Sequence, residues 1–448
     1  MFLGALRPSS MTISNDTSGQ AASLAQNPLR VDAARAIIRA AVRPVAAVEH
    51  VALRSALNRV LAVDIVSPID VPAHDNAAMD GYAFAGAVLS NAGAAAARAP
   101  LSLAVVGEAR AGHPFERACG PLECVRIMTG APMPAGCDTV VPQELVTRKD
   151  SHVEFDAQNV APGANCRRAG EDLARGRAAL DAGRIVRSAD LGLLASLGVA
   201  EVPVRRRVRV AFFSTGDELR SVGEPLDAGC VYDSNRYTLY AMLERMNVDV
   251  DVLDLGVIRD EPSAIEAALR SAAASADVVL TSGGVSVGDA DFTARMTATL
   301  GDVAFWQLAM RPGRPLAFGR LSAAAPGSSE GGALFFGLPG NPVAVMVSFY
   351  QFVRDALIAM SGANAAGPLQ FAAASSTPIK KRPGRTEFLR AVAMRDAAGQ
   401  WSVTPTPAQG SGVLSSMSRA NCFIVLAHEQ GDVAAGTPVD IMPFEGLI

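Results

Sequence analysis

The sequence predicts a multidomain α/β protein: a central parallel or mixed α/β sheet domain, with a β-rich N-terminal domain, a small helical linking domain and a C-terminal β-barrel. Three observations carry this expectation. From Arg207 the chain alternates buried-strand and amphipathic-helix patterns, whereas Asp64 to about Val160 breaks into short runs divided by Pro and Gly. Beyond Gly362 the runs become short again. A length of 448 residues suits roughly three domains.

The elements follow in order. Leu29 to Val42 sets Val31, Ala34, Ile37, Ile38 and Val42 at helical spacing before Pro44 ends the helix, and Ser55 to Val60 is expected to continue that layer. SLAVVGEA, CVRIMTGAPMPAG, DTVVPQELV and HVEFD predict short strands; Gly163 to about Val204 returns to helix and turn. VRVAFFST is a buried strand by its β-branched and aromatic content, and Asn235 to Met246 is a helix with Tyr237, Leu239, Met242 and Leu243 on its stripe. VDVDVLDLG is the next strand, Pro262 to Ala274 a helix with proline in its first turn, and ADVVLT a third strand. This alternation implies parallel pairing through right-handed crossovers. Trp306 to Gly319, Ala333 to Leu338 and a helix from Pro342 to Met360 extend the unit. FLRAVAM, WSVTPT, CFIVLA and PVDIMPF predict a small barrel or sandwich. The expected divisions are a tail at 1–27, a discontinuous linking domain at 28–65 and 161–205, the β-rich domain at 66–160, the α/β domain at 206–361 and the C-terminal domain at 362–448.

Composition narrows the function. A net charge of −4 argues against a nucleic-acid binder, and no stretch offers ~20 unbroken strongly apolar residues for a membrane span. Residues 9–27 are polar with no apolar h-region, so no signal peptide and a cytoplasmic location are expected. Six scattered cysteines without a C-x-x-C and five unclustered histidines support neither a zinc site nor a disulfide framework.

The chemistry concentrates at strand ends. TSGGVSVGDAD (281–291) follows Val278-Val279-Leu280 with three glycines, three hydroxyls and two carboxylates. Glycines let backbone N–H groups approach phosphate oxygens, and acids can hold a hard divalent cation. The loop is neither a Walker A nor a dinucleotide fingerprint, and a tight turn into a helix is the alternative. In open parallel sheets ligands bind beyond the carboxyl ends of strands, where this chain carries Asp217-Glu218, Asp260, Asp289 and Asp291. Singly, Asp260 and Asp291 also read as helix caps. Together beside TSGG they favour a Mg²⁺-dependent site. MRPGRP (310–315) sets Arg311 and Arg314 around a Pro-Gly turn, able to converge on one oxyanion or to remain a solvated turn. LPGNPV ends a strand and begins a helix at Pro342; its amides would favour a negative group, unless the connection is purely conformational.

Taken as a set, TSGGVSVGDADF, STGDEL, VYDSNR, MRPGRPLAFG and GLPGNP resemble the molybdopterin molybdenumtransferase family, called MoeA in bacteria and similar to the gephyrin E domain. VPAHDNAAMDGYA, IMTGAPMPAGCDTVVPQE, RRAGEDL, PGRTEFLRA and QGSGVLSSMSRAN complete the resemblance, which spans Leu29 to the end. It implies that 206–361 binds molybdopterin. The implied reaction is Mg²⁺-dependent insertion of molybdate into adenylylated molybdopterin, giving AMP and molybdenum cofactor. Position by position, it implies functional roles for Asp75, Thr129, Asp172, Glu218, Asp260 and Asp291, with Glu218, Asp260 and Asp291 as metal ligands. Pterin and phosphate contacts would come from Arg167, Thr281, Ser282, Gly283, Gly284, Ser286 and Gly288, and from Pro339, Gly340, Asn341 and Pro342. Molybdate would meet Arg311, Arg314, Arg390 and Ser411.

The resemblance further implies a homodimer in which Asp75 and Thr129 reach the site from the partner chain, with the adenylyltransferase and recipient molybdoenzymes as partners. On residues alone, Asp75 reads as an Asx turn, and Asp80-Gly81 and Thr129-Gly130 as turn dipeptides. Ala77 and Ala344 stand where relatives often have serine, Gln307 where many have lysine, and arginines replace the lysines of KPGKP. Arginine keeps the charge and adds a bidentate fork, leaving molybdate and tungstate both open. The rival readings are an adenylyltransferase-like enzyme and a non-catalytic scaffold.

Overall fold

Val208–Thr215 (β1) is buried everywhere except Arg209, as expected for a strand covered on both faces. The computed structural model of the chain describes residues 28–91, 100–246, 248–284, 300–322 and 332–446. After β1 come Ser234–Glu244 (α1), Val250–Ile258 (β2), Pro262–Ser275 (α2), Val278–Ser282 (β3), Gly301–Gln307 (β4), Pro315–Ser322 (β5), Gly332–Leu338 (β6) and Pro342–Ser348 (α3). The six strands order β2-β1-β3-β6-β5-β4. Neighbours from β2 to β6 run parallel, and β5 and β4 add an antiparallel edge.

Strand alternation divides the core in two. Val208, Val210, Phe212, Leu280 and Phe336 face one layer, where α1 contributes Leu239, Met242 and Leu243. Ala211, Phe213, Val279 and Phe335 face the other, covered by Ile265, Leu269 and Ala272 of α2. The helix after β6 runs on from α3 through a π-helical segment, Phe349–Val353, into Arg354–Met360 (α4). Its 19 residues are long and apolar enough to cross a membrane, but 83% of the most apolar window is buried against the core.

The C-terminal strands close. Thr386–Arg395 pairs with Trp401–Pro405 on one edge and Cys422–Leu426 on the other, while Phe371–Ser375 and Pro438–Pro443 complete the ring. The result is a five-stranded barrel without a free edge. Met310–Arg311, between β4 and β5, pairs parallel with Thr386 and Glu387 and fastens this barrel to the sheet.

Toward the N-terminus, a six-stranded sheet includes Gly81–Phe84, Leu101–Ala109, Glu123–Ile127 and Thr139–Pro142. The linking segments form two short ladders, Val48–Ala52 with Glu201–Arg205 and Ile65–Val66 with Ala178–Leu180, beside the helix Ser188–Ser196. The helix at Val31–Ala41 packs Val31, Ala34 and Ile38 into the central core. Ser55 to Val60 does not continue the helical layer. Leu53–Ala56 makes one 3₁₀ turn, and Asn58 takes φ 61°, which an α-helix cannot accommodate.

Leu280 lies fully buried in β3 between β1 and β6, so Leu280→Ala is expected to lower stability by about 2–5 kcal/mol. Urea unfolding followed by the fluorescence of Trp306, in the same core, measures this; a loss under about 1 kcal/mol would contradict the packing.

Candidate functional site

The carboxyl ends of β1, β3 and β6 open onto a cavity of about 1300 Å³, larger than the roughly 300–1,000 Å³ of most ligand pockets. One amide joins its three loops. Asn235 Nδ2, in the first turn of α1, donates to Ser282 Oγ at 2.8 Å and to the Gly340 carbonyl at 2.7 Å. The Gly283 amide also donates to the Leu338 carbonyl at 3.2 Å. Gly283 has φ +96°, and a Cβ there would lie 2.6 Å from the Thr215 carbonyl oxygen, so this position requires glycine. Thr281, Ser282, Gly283 and Gly284 thereby line one side with Pro339, Gly340, Asn341 and Pro342. Ser286, Gly288 and Asp291 lie outside the described residues, as does Asp289.

Glu218 and Asp260 face the same cavity. The N-cap of α2 is Glu261, without a side-chain bond, so Asp260 is not the helix cap. The Asp260 amide donates to Asp217 Oδ1 at 3.3 Å, bringing the loops after β1 and β2 together. Among the described residues no three His, Cys, Asp or Glu side chains group closely enough to hold a metal ion alone. Two carboxylates do suit an ion whose remaining ligands are water and ligand phosphate, the usual mode of Mg²⁺. Further back, Asp233 Oδ1 caps α1 through the Arg236 amide, but Asp233 Oδ2, Asn235 Oδ1 and Thr215 Oγ1 are buried without partners. All three residues line the cavity. Such groups cost about 1–3 kcal/mol each when unsatisfied.

Another part of the lining is cationic. Arg311 and Arg314 flank Pro312-Gly313; Gly313 has φ +90°, and a Cβ there would meet Ser348 Oγ at 2.8 Å, so the turn presses on α3. Both arginines are exposed on the cavity wall, and neither pairs with a carboxylate among the described residues. Arg385 joins them from the barrel, steadied by Nε donating to buried Glu387 Oε1 at 2.7 Å. Ser411 lines the cavity too. Its carbonyl accepts from the Val343 amide at 3.0 Å, so that amide of the α3 N-terminus is already engaged.

Arg390 does not line this cavity. It is 1% exposed, with Nε donating to Ser416 Oγ at 3.0 Å and Nη2 to the Ala408 and Gly410 carbonyls at 3.1 and 3.0 Å. Burial, with the nearby Arg311 charge, pushes its pKa down to about 10.

Asp75, Thr129, Arg167 and Asp172 also lie elsewhere, around the ladder of Asn76–Ala77 with Cys166–Arg167. The Asp75 carboxylate accepts from the Ala169 amide at 2.8 Å and Arg168 Nη1 at 2.7 Å, instead of closing an Asx turn on itself. Thr129 donates through both its amide and its hydroxyl to Asp80 Oδ1 at 2.7 Å. Arg167 is exposed, and the Asp172 amide donates to the Val71 carbonyl.

Comparison with known proteins covers the chain nearly end to end. Residues 29–198 match the MoeA N-terminal region (domain I and II), 211–359 a probable molybdopterin binding domain, and 372–444 the MoeA C-terminal region (domain IV). The chain belongs to the MoeA family. A molybdopterin molybdenumtransferase of Haemophilus influenzae is 42% identical over 89% of this chain and 95% of its own length. One from Bacillus subtilis is 33% identical over 88% and 89%. The crystal structure of a molybdopterin biosynthesis MoeA protein from Pyrococcus horikoshii, 28% identical, covers 93% of this chain and all of its own, with a TM-score of 0.79.

Within this MoeA framework, Asp233, Asn235, Arg385 and Gln409 on the cavity wall were not singled out from sequence. VYDSNR and PGRTEFLRA contain three of them, but neither string reveals which side chain faces the cavity. Of the unusual residues at 77, 307 and 344, Ala344 lies on the cavity wall and Ala77 is buried in the β-rich core. Gln307 does not reach the cavity.

The Ala169 amide, then Arg168, hold the Asp75 carboxyl below its ordinary pKa. A depressed folded-state pKa adds stability above the unfolded value near 3.9, and that stability is lost as pH falls through the folded value. With the carboxylate 37% exposed, the contribution is on the order of 0.5 kcal/mol. Asp75→Asn is therefore expected to melt slightly below wild type at about pH 6, with the two curves converging only as pH falls through the carboxyl's depressed folded-state pKa. A gap that persists in acid would contradict this assignment.

Proposed function

We propose that this chain inserts molybdate into adenylylated molybdopterin with release of AMP in a Mg²⁺-dependent reaction. Family membership makes it a transferase of molybdenum cofactor biosynthesis. The finer reading is supported above all by one cavity lined by two unlike sets of groups, residues 281–284 with Glu218 and Asp260, and Arg311, Arg314, Arg385 and Ser411. The glycine-lined wall suits a phosphate anhydride, while the arginine wall suits a tetrahedral dianion.

Glu218 and Asp260 would hold Mg²⁺, which when bound neutralises charge on the anhydride oxygens. The chain's own groups then orient the two substrates: the strand-end loops fix the anhydride, and the arginines hold molybdate within reach of the pterin sulfurs. Asp75, Thr129, Arg167 and Asp172 would complete the site from a second copy of the chain, since they do not line this copy's cavity. Direct delivery of the product to recipient molybdoenzymes suits a labile cofactor.

The test is AMP release from adenylylated molybdopterin with Mg²⁺, with and without molybdate. Release should depend on molybdate. Arg311→Ala or Arg314→Ala should raise the molybdate KM about 10-fold or more, the worth of one charge-assisted contact. AMP release indifferent to molybdate would point instead to an adenylyltransferase-like or hydrolytic enzyme, and absence of turnover with tight protein binding to a scaffold. Full AMP release by Asp260→Asn at limiting Mg²⁺ would remove the metal assignment.

A further inference from the structure

A second cavity, of about 350 Å³, lies between the helix at Val31–Ala41 and α4, with Ala363 and residues 365–367 completing its lining. It shares no lining residue with the cavity at the strand ends. Its volume is within the roughly 300–1,000 Å³ of ligand pockets. Ile38, Val42, Phe352 and Ile358, all buried, give it apolar surface. Arg35, Arg39 and Arg354 add three guanidinium groups against one carboxylate, Asp355. Arg354 is 5% exposed, and its Nη1 donates to Asp355 Oδ1 at 2.5 Å. Arg35 donates from Nε to the Gln351 carbonyl at 3.2 Å and from Nη2 to Gln351 Oε1, leaving Nη1 without an acceptor among the described residues. Arg39 is exposed and pairs with no carboxylate among the described residues. Burial lowers the Arg35 pKa, although the Asp355 and Asp32 charges oppose it.

We infer that this cavity binds a small organic anion, a carboxylate, sulfonate or phosphate group carried on an apolar body. The anionic group meets Arg39 and the open edge of Arg35, where planar guanidinium forks suit paired oxygens. The apolar body lies against Phe352 and Ile358, which otherwise face a space that gives them no dispersion contacts. Gln351, 1% exposed, prepares the site, because two bonds to one residue hold the plane of the Arg35 guanidinium. Gln351 belongs to the π-helical segment Phe349–Val353. Such segments are rare and occur frequently at functional sites, and their altered ladder lets a carbonyl accept from outside the helix. An ion pair within the fold accounts for Arg354 and Asp355. It does not account for two further guanidinium groups beside an unfilled apolar space, one of them desolvated. The inference does not depend on the reaction assigned to the first cavity.

Naphthalene-2-sulfonate serves as the probe, with binding to the full chain detected by saturation-transfer NMR and quantified by titration calorimetry. The wild type should bind it, and the uncharged analogue 2-naphthol should bind roughly 10-fold more weakly or worse, the worth of one charge-assisted contact. Arg39→Glu, which reverses an exposed charge, should weaken the sulfonate roughly 10-fold or more at a near wild-type melting temperature. Ala363→Leu, which places a larger apolar side chain in the space, should weaken both compounds. Arg314→Ala, in the other cavity, should leave sulfonate affinity within about 2-fold of wild type. No binding by the wild type up to the probe's solubility limit would overturn the inference. So would full affinity in Arg39→Glu, or affinity lost in Arg314→Ala, which would seat the probe in the first cavity. If Ala363→Leu does not fold, the comparison of Arg39→Glu with Arg314→Ala decides.

Discussion

The barrel is clasped to the ends of the sheet, and the cavity exists because of that clasp. Met310–Arg311 pairs with Thr386 and Glu387, and the Val343 amide donates to the Ser411 carbonyl. Without these links the arginine turn would still follow β4, but Arg385 and Ser411 would not share its wall. Apolar packing reinforces the polar ties, for Phe388, Phe423 and Met442 of the barrel lie in the same core as Phe349 and Phe352. Aromatic contacts such as Tyr350 against Phe423, with centroids 5.8 Å apart, make the junction part of the core rather than a mobile interface.

The two walls are built by different physics. On the sheet side, glycines with positive φ and the single amide of Asn235 hold backbone close to where an anhydride would lie. Charge there is negative or neutral, and buried acceptors lack donors. On the barrel side, guanidinium groups gather with few counter-ions, their loops held by carbonyls. A ligand carrying a phosphate anhydride, and a second small anion, would suit both sets of groups at once. That complementarity is local chemistry, and the MoeA assignment gives it a biological context.

Much of this was legible in the sequence because the strand-helix alternation from Val208 is strong and local. Glu218, Asp260, Thr281 to Gly284, Arg311, Arg314, Pro339 to Pro342 and Ser411 do meet at one cavity, since strand order brings loop ends together. Arg390 and Arg385 were harder. Thr386–Arg395 is buried at most positions, so its sequence does not show which face each side chain takes, and only the barrel's closure decides. Asp75 joins Ala169 across 94 residues of chain, a contact that no local pattern encodes. Ser55 to Val60 looked helical because a single left-handed residue, Asn58, leaves no signature strong enough to break the pattern.

The central claim is that one cavity seats both a phosphate group and a tetrahedral oxyanion. Crystals soaked with AMP and molybdate, with data collected at the molybdenum absorption edge, address it most directly. The account predicts an anomalous peak within contact of the Arg311 and Arg314 guanidinium groups, and phosphate density against Thr281 to Gly284 in the same cavity. A molybdenum peak away from both guanidinium groups, or phosphate bound away from the β3 loop, would contradict it.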